Sequence, residues 1–554
     1  MAAKKTNIQS PENYDRFIDD KERRNKGQFY TPKLFADYAH KMISEVLGDN
    51  WKDEYVVWDN CCGTKNLTRD YKFKELYCST LEKTELDISA QFNPEAVSFQ
   101  FDFLNEPIAG RESLTGVYDD KLPKGLKDAL LENKPIVFFI NPPYGKPTGT
   151  GCKLDAGSSN TFVKKQMHKE KIEGSELIKQ FIWRIVDIKR KFNLTNLYIA
   201  CFTKPTWLIK PLSIKFRELF LNNFEYQKGI MFCAGEFADV SSAWGITFNI
   251  WKSGISKDKN NFTHQLIENK DGEIKIIGDK VLCNFDGLNV KTTCKFISEK
   301  LVDKKHKEKV VYCKDIKKFE FAVDYANIFD DYISTINCSG NDIQGNNFTC
   351  IRNVFPKNGE GIIQLTKKNI FESCIVHSIK TLIITNWVID KDMYNMNVDI
   401  PISFRNDAFV YSIFGNYCCS VKIGNDQLKN EFFWMSKSEI ESLALKYNND
   451  YCFNDAHSSS ERFVYTKLQD ISLSPEARAV LDKANDIVRK TFKYREQFNK
   501  EHPEYQINNW DCGFYQINKL CKEYMPELLK EFKEVYKALA DKMRPMVYEL
   551  GFLK

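Results

Sequence analysis

Residues 138–147 read "FFINPPYGKP", two prolines set between an asparagine and a tyrosine directly behind an apolar run. Asn141 offers a side-chain carbonyl and Pro142 a main-chain carbonyl. Proline fixes φ and has no N–H, so the Asn141-Pro142-Pro143-Tyr144 turn is stiff and rich in acceptors. Two acceptors aimed at the two hydrogens of a planar amine help free its delocalised lone pair, and the Tyr144 ring is a flat face for stacking. The bland alternative is a turn that ends a strand, with a surface tyrosine behind it.

Three other apolar runs end in residues able to do chemistry. "EYVVWDN" (54–60) leads into "CCGT", where Asp59 can meet a cationic or amine group and Cys62, Gly63 and Thr64 allow close backbone approach. The expectation is a strand-to-helix turn with the helix opening at Gly63-Thr64; the full Gly-x-Gly-x-x-Gly dinucleotide pattern is missing. After "ELYCSTL" (75–81), Glu82 is of the type that holds both hydroxyls of a ribose, with Glu85 as competitor and an exposed acid as the plain alternative. The third run is "AVSFQFDF" (96–103); at its end, in "FDFLNEP", Asp102 can accept from an adenine amine and Phe103 can stack on its ring or simply fill a core.

These strand ends need a frame. A helix is expected over 31–47, with Leu34, Tyr38, Met42 and Ile43 or Val46 on one face, and another over 175–192. Strands are expected at 134–140 and 196–203, and a hairpin pairs 226–234 with 244–253. Near-continuous apolar strands separated by helices indicate a parallel sheet covered on both faces, the hairpin adding antiparallel strands. The fold class is therefore α/β, a doubly wound, Rossmann-like sheet whose ligands bind at the carboxyl ends of the strands. Four domains follow: an arm over 1–26, the sheet domain over 27–254, a mixed α+β region over 255–470, and C-terminal helices over 471–554. In the last two, Ser436 and Glu439 form a capping box, Ser474-Pro475 starts a helix, and 525–543 is amphipathic.

Composition narrows the class. With 43% hydrophobic and 14% aromatic residues in 554, the chain has ample core for several domains. No apolar run is long enough to span a membrane, and the N-terminus has no signal region. Seventeen scattered cysteines, none spaced Cys-x-x-Cys, argue against structural zinc and a secreted disulfide scaffold, and suit reduced thiols in a cytoplasm. A formal charge of +5 permits a nucleic-acid partner without demanding one. Basic runs at 164–171, 187–191 and 303–309 could touch phosphate or be solvated faces.

Taken in order, these stretches resemble the S-adenosylmethionine-dependent DNA adenine-N6 methyltransferases, in the subgroup whose target recognition follows the catalytic domain. The resemblance covers about 24–253: "GQFYTP" (27–32) is similar to the upstream cofactor motif, "DNCCGT" to the methionine-contacting loop, "FDF" to the adenine-contacting turn and "NPPY" to the catalytic tetrapeptide. It implies a methyltransferase sheet that binds S-adenosylmethionine through Tyr30, Thr31, Pro32, Asp59, Cys62, Gly63, Thr64, Glu82, Asp102, Phe103 and Asn141. Catalysis falls to Asn141, Pro142, Pro143 and Tyr144. In "AGEFAD" (234–239), Phe237 would stack on the other face of a flipped base. "CCGTKN" departs from the commoner P-x-x-G-x-G form. Double-stranded DNA is the implied partner, no metal is required, and the oligomeric state stays open. The 255–470 region would read the target, with "SFRNDAFVYS" and "GNNFTCIRN" offering Arg, Asn and aromatic residues to base edges. The glycine-rich segment 145–171 reads as a loop closing over substrate or an insertion. Residues 1–26 are too few for a fused nuclease. The rival substrates are an RNA adenine or a protein glutamine amide; a catalytically weak specificity module is the non-enzymatic rival.

Overall fold

The computed structural model describes residues 31–108, 121–144, 160–237, 243–301, 305–308, 310–312, 326–338, 340–353, 361–423, 427–449, 460–505 and 507–554. They divide into two compact units, one running to Asn289 with Asn386–Lys391 added, the other made of Val290–Thr385 and Asp392–Lys554.

The first unit is built on nine strands: β1 (Val56–Asp59), β2 (Leu76–Thr80), β3 (Val97–Gln100), β4 (Ile136–Ile140), β5 (Leu197–Thr203), β6 (Phe224–Cys233), β7 (Gly245–Ser253), β8 (Asn261–Lys270) and β9 (Glu273–Cys283), in the order 3-2-1-4-5-7-6-8-9. Strands β3 to β5 are mutually parallel. Every residue of β1, β2, β4 and β5 is buried, which is why these strands read as unbroken apolar runs rather than alternating ones. The chain winds outward from β1 through β2 to β3, then returns beside β1 for β4 and β5. Right-handed crossovers in the two directions lie on opposite faces, giving the expected doubly wound α/β arrangement. The strand order reverses between β1 and β4, where Val57 pairs with Val137 and Trp58 with Phe138. That register brings the ends carrying Asp59 and Asn141 to one crevice.

The hairpin forms as β6 and β7, with β7 inserted antiparallel between β5 and β6. The sheet does not stop at 254. Strand β8 pairs parallel with β6 and β9 closes the edge, so this unit runs past the boundary expected there. Lys270, Asp271, Glu273, Lys275, Asp279 and Lys280 give this stretch the polar texture of a different region; most of β9 faces solvent as an edge strand.

Helix α1 (Lys33–Leu47) begins after Pro32 and ends at Gly48, whose φ of 93° no β-carbon residue adopts readily. Its buried face is Phe35, Ala36, Ala39, His40, Met42 and Ile43, with Leu34 and Tyr38 half-buried beside it. The stripe is rotated from the expected one because the Phe35 ring stacks on Phe232 at 4.3 Å between centroids.

In the second unit, Tyr332–Asn337 pairs with Cys350–Arg352 and Ile362–Thr366, and helices Ile370–Leu382, Ile402–Phe414, Lys437–Lys446, Pro475–Thr491, Phe514–Tyr524 and Pro526–Glu549 carry most of the core. Ser474 caps its helix as expected, its Oγ accepting from the Ala477 N–H at 3.2 Å, whereas the expected box at Ser436 forms by half: Ser436 Oγ accepts from the Glu439 N–H at 3.2 Å, and the Glu439 carboxylate accepts from Arg489 instead. The mixed region and the C-terminal helices belong to one unit. No helix among the described residues is long and apolar enough to cross a membrane.

Candidate active site

A cavity of about 370 Å³ opens at the carboxyl ends of β1 to β4, a size within the usual range for a small-ligand pocket. Its wall includes Thr31, Asp59, Cys62, Gly63, Glu82, Asp102, Phe103, Asn141 and Pro143. Nine of the nominated residues, separated by up to 112 positions in the chain, thus meet at one place. Four carboxyl groups (Asp59, Glu82, Glu85 and Asp102) line the wall, and among the described residues no lysine or arginine does. Such a cavity suits a ligand with positive charge and repels phosphates.

Asp59 ends β1 with 1% of its surface exposed, and its carboxylate accepts from the Cys61 N–H at 3.3 Å. Burial pushes its pKa up to about 8, against a small lowering by that hydrogen bond. The loop behind it does not open a helix, as expected at Gly63-Thr64, but runs through turns. Gly63 at φ 49° and Lys65 at φ 62° both adopt the left-handed region, which breaks helical hydrogen bonding at its start. Lys65 stands two residues after Gly63 and holds that conformation by donating from Nζ to the Phe92 carbonyl at 2.9 Å. Cys62 is tied to β2 through its N–H to the Ser79 carbonyl, and Thr64 turns its hydroxyl to Asn66 rather than to the cavity.

At the end of β2, both competing acids line the cavity. Glu85 is buried and accepts from the Thr80 hydroxyl, whereas Glu82 is half-buried at the start of helix Lys83–Ser89. Asp102 accepts from the Leu104 N–H at 3.0 Å and from Asn105 Nδ2 at 2.8 Å, shaping the turn after β3. Phe103 does both things weighed for it. Its ring stacks on Phe181 at 5.5 Å, packs edge-on to Trp58, and still forms part of the wall.

Asn141 stands at the centre. Its Nδ2 donates to Thr31 Oγ1 at 2.9 Å, and its Oδ1 accepts from the Tyr144 hydroxyl at 2.9 Å. The upstream "FYTP" stretch and the "NPPY" turn are therefore joined side chain to side chain. Pro142 is buried and Pro143 half-buried, while Pro32 is the residue before α1. Tyr144 is 4% exposed; its main-chain carbonyl accepts from Lys204 Nζ at 3.0 Å, and burial raises its hydroxyl pKa well above the ordinary value. Lys204, from the end of β5, also lies 5.0 Å over the Trp244 ring, which meets Tyr144 edge-on at 6.0 Å. Neither Lys204 nor Trp244 was legible as a site residue: each is one polar or aromatic residue beside a strand, and only the pairing of β5 with β7 brings them to Tyr144.

Phe237 is not part of the cavity wall. Its ring is 1% exposed and sits among Phe35, Phe202 and Phe232 at 5.5 to 6.2 Å. Tyr30, the segment 145–159 and residues 238–242 lie outside the described residues. The two stretches expected to read base edges are largely structural in the second unit. "SFRNDAFVYS" is inside helix Ile402–Phe414 with Phe404, Asn406, Phe409 and Tyr411 buried, and Arg405 lies over Phe371. In "GNNFTCIRN", Asn346 bonds Tyr394 and Asn353 bonds the Cys419 carbonyl.

No family model matches the chain, and no curated protein matches it. Among solved structures, it is similar to a protein described as a modification subunit of a type I restriction enzyme from Vibrio vulnificus, at 16% identity and TM-score 0.31 over 47% of this chain and 52% of that one. It is also similar to a type I restriction-modification methyltransferase subunit from Streptococcus thermophilus, at 14% identity and TM-score 0.30 over 45% and 50%. A third is a class I S-adenosylmethionine-dependent methyltransferase from Listeria monocytogenes, at 12% and 0.27 over 41% and 62%. The chain thus spans about half the length of the first two. Likeness of this degree does not tell what this chain acts on.

Proposed function

We infer that the protein is an S-adenosylmethionine-dependent methyltransferase that modifies the N6 amine of an adenine flipped out of double-stranded DNA. The observation that carries this reading is the Thr31–Asn141–Tyr144 hydrogen-bond chain at the switch point of the sheet, beside a cavity lined, among the described residues, with acids and no basic side chain.

The cavity fits the cofactor. Along the sheet edge, β3 presents Asp102 and Phe103 for an adenine, β2 presents Glu82 and Glu85 for a ribose, and β1 presents Asp59 for an ammonium. β4 follows with Asn141, where the methyl acceptor would lie. Bound there, the cofactor supplies an electrophilic methyl on a sulfonium that is already a good leaving group. Asn141 Oδ1 and the Pro142 carbonyl accept from the two amine hydrogens, which returns lone-pair density to nitrogen. An uncharged acceptor does this without a base of shifted pKa, and the proton leaves once transfer has made the nitrogen cationic. The prolines hold both acceptors rigid, so the amine is kept in line for attack.

Flipping the base costs a few kcal/mol, offset by stacking on Tyr144. The second unit is the part of the chain available to read the target sequence. The test is to incubate the protein with methyl-labelled cofactor and a mixture of duplex DNA, RNA and total protein. Label in DNA supports the reading; label confined to RNA or to protein overturns the substrate, and no transfer to any of them overturns the activity.

A further inference from the structure

Asn60, between Asp59 and Cys61, was not among the residues singled out for binding. It lines the cavity, is 2% exposed, and neither its Oδ1 nor its Nδ2 has a hydrogen-bond partner. A buried amide with both ends unsatisfied is costly, and native proteins seldom leave one so without a use for it. Its neighbours do not share this condition: Thr64 bonds Asn66, and Asp59 accepts from Cys61.

We propose that Asn60 is a cofactor-binding residue that holds the amino-acid end of S-adenosylmethionine, Nδ2 donating to its carboxylate and Oδ1 accepting from its ammonium. This rests on the cofactor reading above. Two features fix which end it holds. The first is position: with acceptors for an adenine on β3 and for a ribose on β2, the end of β1 falls under the amino-acid tail. The second is charge. That tail carries a carboxylate into a cavity lined, among the described residues, by four carboxyl groups and no lysine or arginine. Among the described residues, the donors left to receive it are neutral N–H groups, and Asn60 Nδ2 is a buried side-chain donor on that wall with no other partner.

The test is calorimetric titration of the full chain and of Asn60→Ala with S-adenosylmethionine, S-adenosylhomocysteine and 5′-methylthioadenosine, which lacks the amino-acid tail. The variant is expected to bind the two tailed ligands at least tenfold more weakly and methylthioadenosine within twofold of the parent. Its Tm without ligand should be unchanged or higher, because an unsatisfied amide has been removed. Asn60→Asp, isosteric but set against the ligand carboxylate, should lose the tailed ligands selectively as well. A parent that binds none of the three ligands defeats the cofactor reading itself. Equal binding of S-adenosylmethionine by parent and Asn60→Ala defeats only the assignment of Asn60. So does equal weakening of all three ligands, or a fall in unliganded Tm, which would make Asn60 a support for the loop.

Discussion

Tyr144→Phe separates the hydroxyl of this residue from its ring. The hydroxyl donates to Asn141 Oδ1 at 2.9 Å, the acceptor that the proposed chemistry needs for the substrate amine. Tyr144 therefore occupies its own catalytic cradle, and a target base must displace that hydrogen bond to be held. A neutral hydrogen bond is worth about 0.5–1.5 kcal/mol net, so removing the competitor should lower KM for DNA by about two- to tenfold with kcat preserved. Asn141 is half-buried, so water can replace the hydroxyl in the free protein and the Tm should move little. Tyr144→Ala also removes the stacking face, worth about 1–3 kcal/mol, and should cost about 5- to 150-fold in kcat/KM. Steady-state methyl transfer to unmethylated DNA measures both. Should Tyr144→Phe lose as much activity as Tyr144→Ala, the hydroxyl is part of the chemistry and not its competitor; should both retain full activity, the ring does not hold the base.

Asp59, with its pKa raised by burial to about 8, holds an extra proton in the folded chain between its ordinary range and that value. Stability without ligand should fall as pH rises through that window, and a cationic ligand beside the carboxylate should expel about 0.9 proton at pH 7. Calorimetry in buffers of different ionisation enthalpy reads the release, and Asp59→Asn should abolish it. His40, His264 and His377 are shifted the other way by burial, to about 3, 4 and 4. The unfolded chain binds more protons below pH 6.5, so each should cost about 2 kcal/mol of stability by pH 5; denaturant melts that are flat between pH 7 and 5 would contradict this. Gly63→Ala forces a β-carbon residue to φ 49° and should cost about 1–2 kcal/mol, read as a lower Tm together with weaker cofactor binding.

Much of the sheet domain is legible in the sequence because its strands are buried on both faces. "VVWD", "LYCST" and "IVFFI" are short unbroken apolar runs of strand length set between turn signals, and the residues at their carboxyl ends are placed by the topology. Four things were hidden. The stretch over 261–283 is an edge hairpin whose solvent-facing residues mix charged and polar side chains with exposed Ile276, Ile277 and Val281, so no clean alternation shows that the sheet continues. The loop after Asp59 looked like a helix start because Gly-Thr suits one; Lys65 in the left-handed region, anchored through its ammonium, cannot be read from residue type. Phe237 and Trp244 could not be ranked from sequence, since an aromatic in a loop between two strands can point to the core or the crevice. Here Phe237 fills the core beside Phe35, and Trp244 lies against Tyr144. In the second unit, "SFRNDAFVYS" alternates polar and aromatic residues like a reading surface, yet helix Ile402–Phe414 is buried around most of its girth.

The central claim is that Asn141 presents acceptors to an adenine amine. It is tested most directly by mapping modified bases in duplex DNA treated with S-adenosylmethionine and either the parent chain or Asn141→Ala, with cofactor affinity measured alongside. The parent should yield N6-methyladenine. The variant should bind cofactor but lose at least about 100-fold in rate, the scale of losing a preorganised polar contact that acts in the transition state. Full activity in Asn141→Ala, or methyl groups found on another base or ring position, would contradict it.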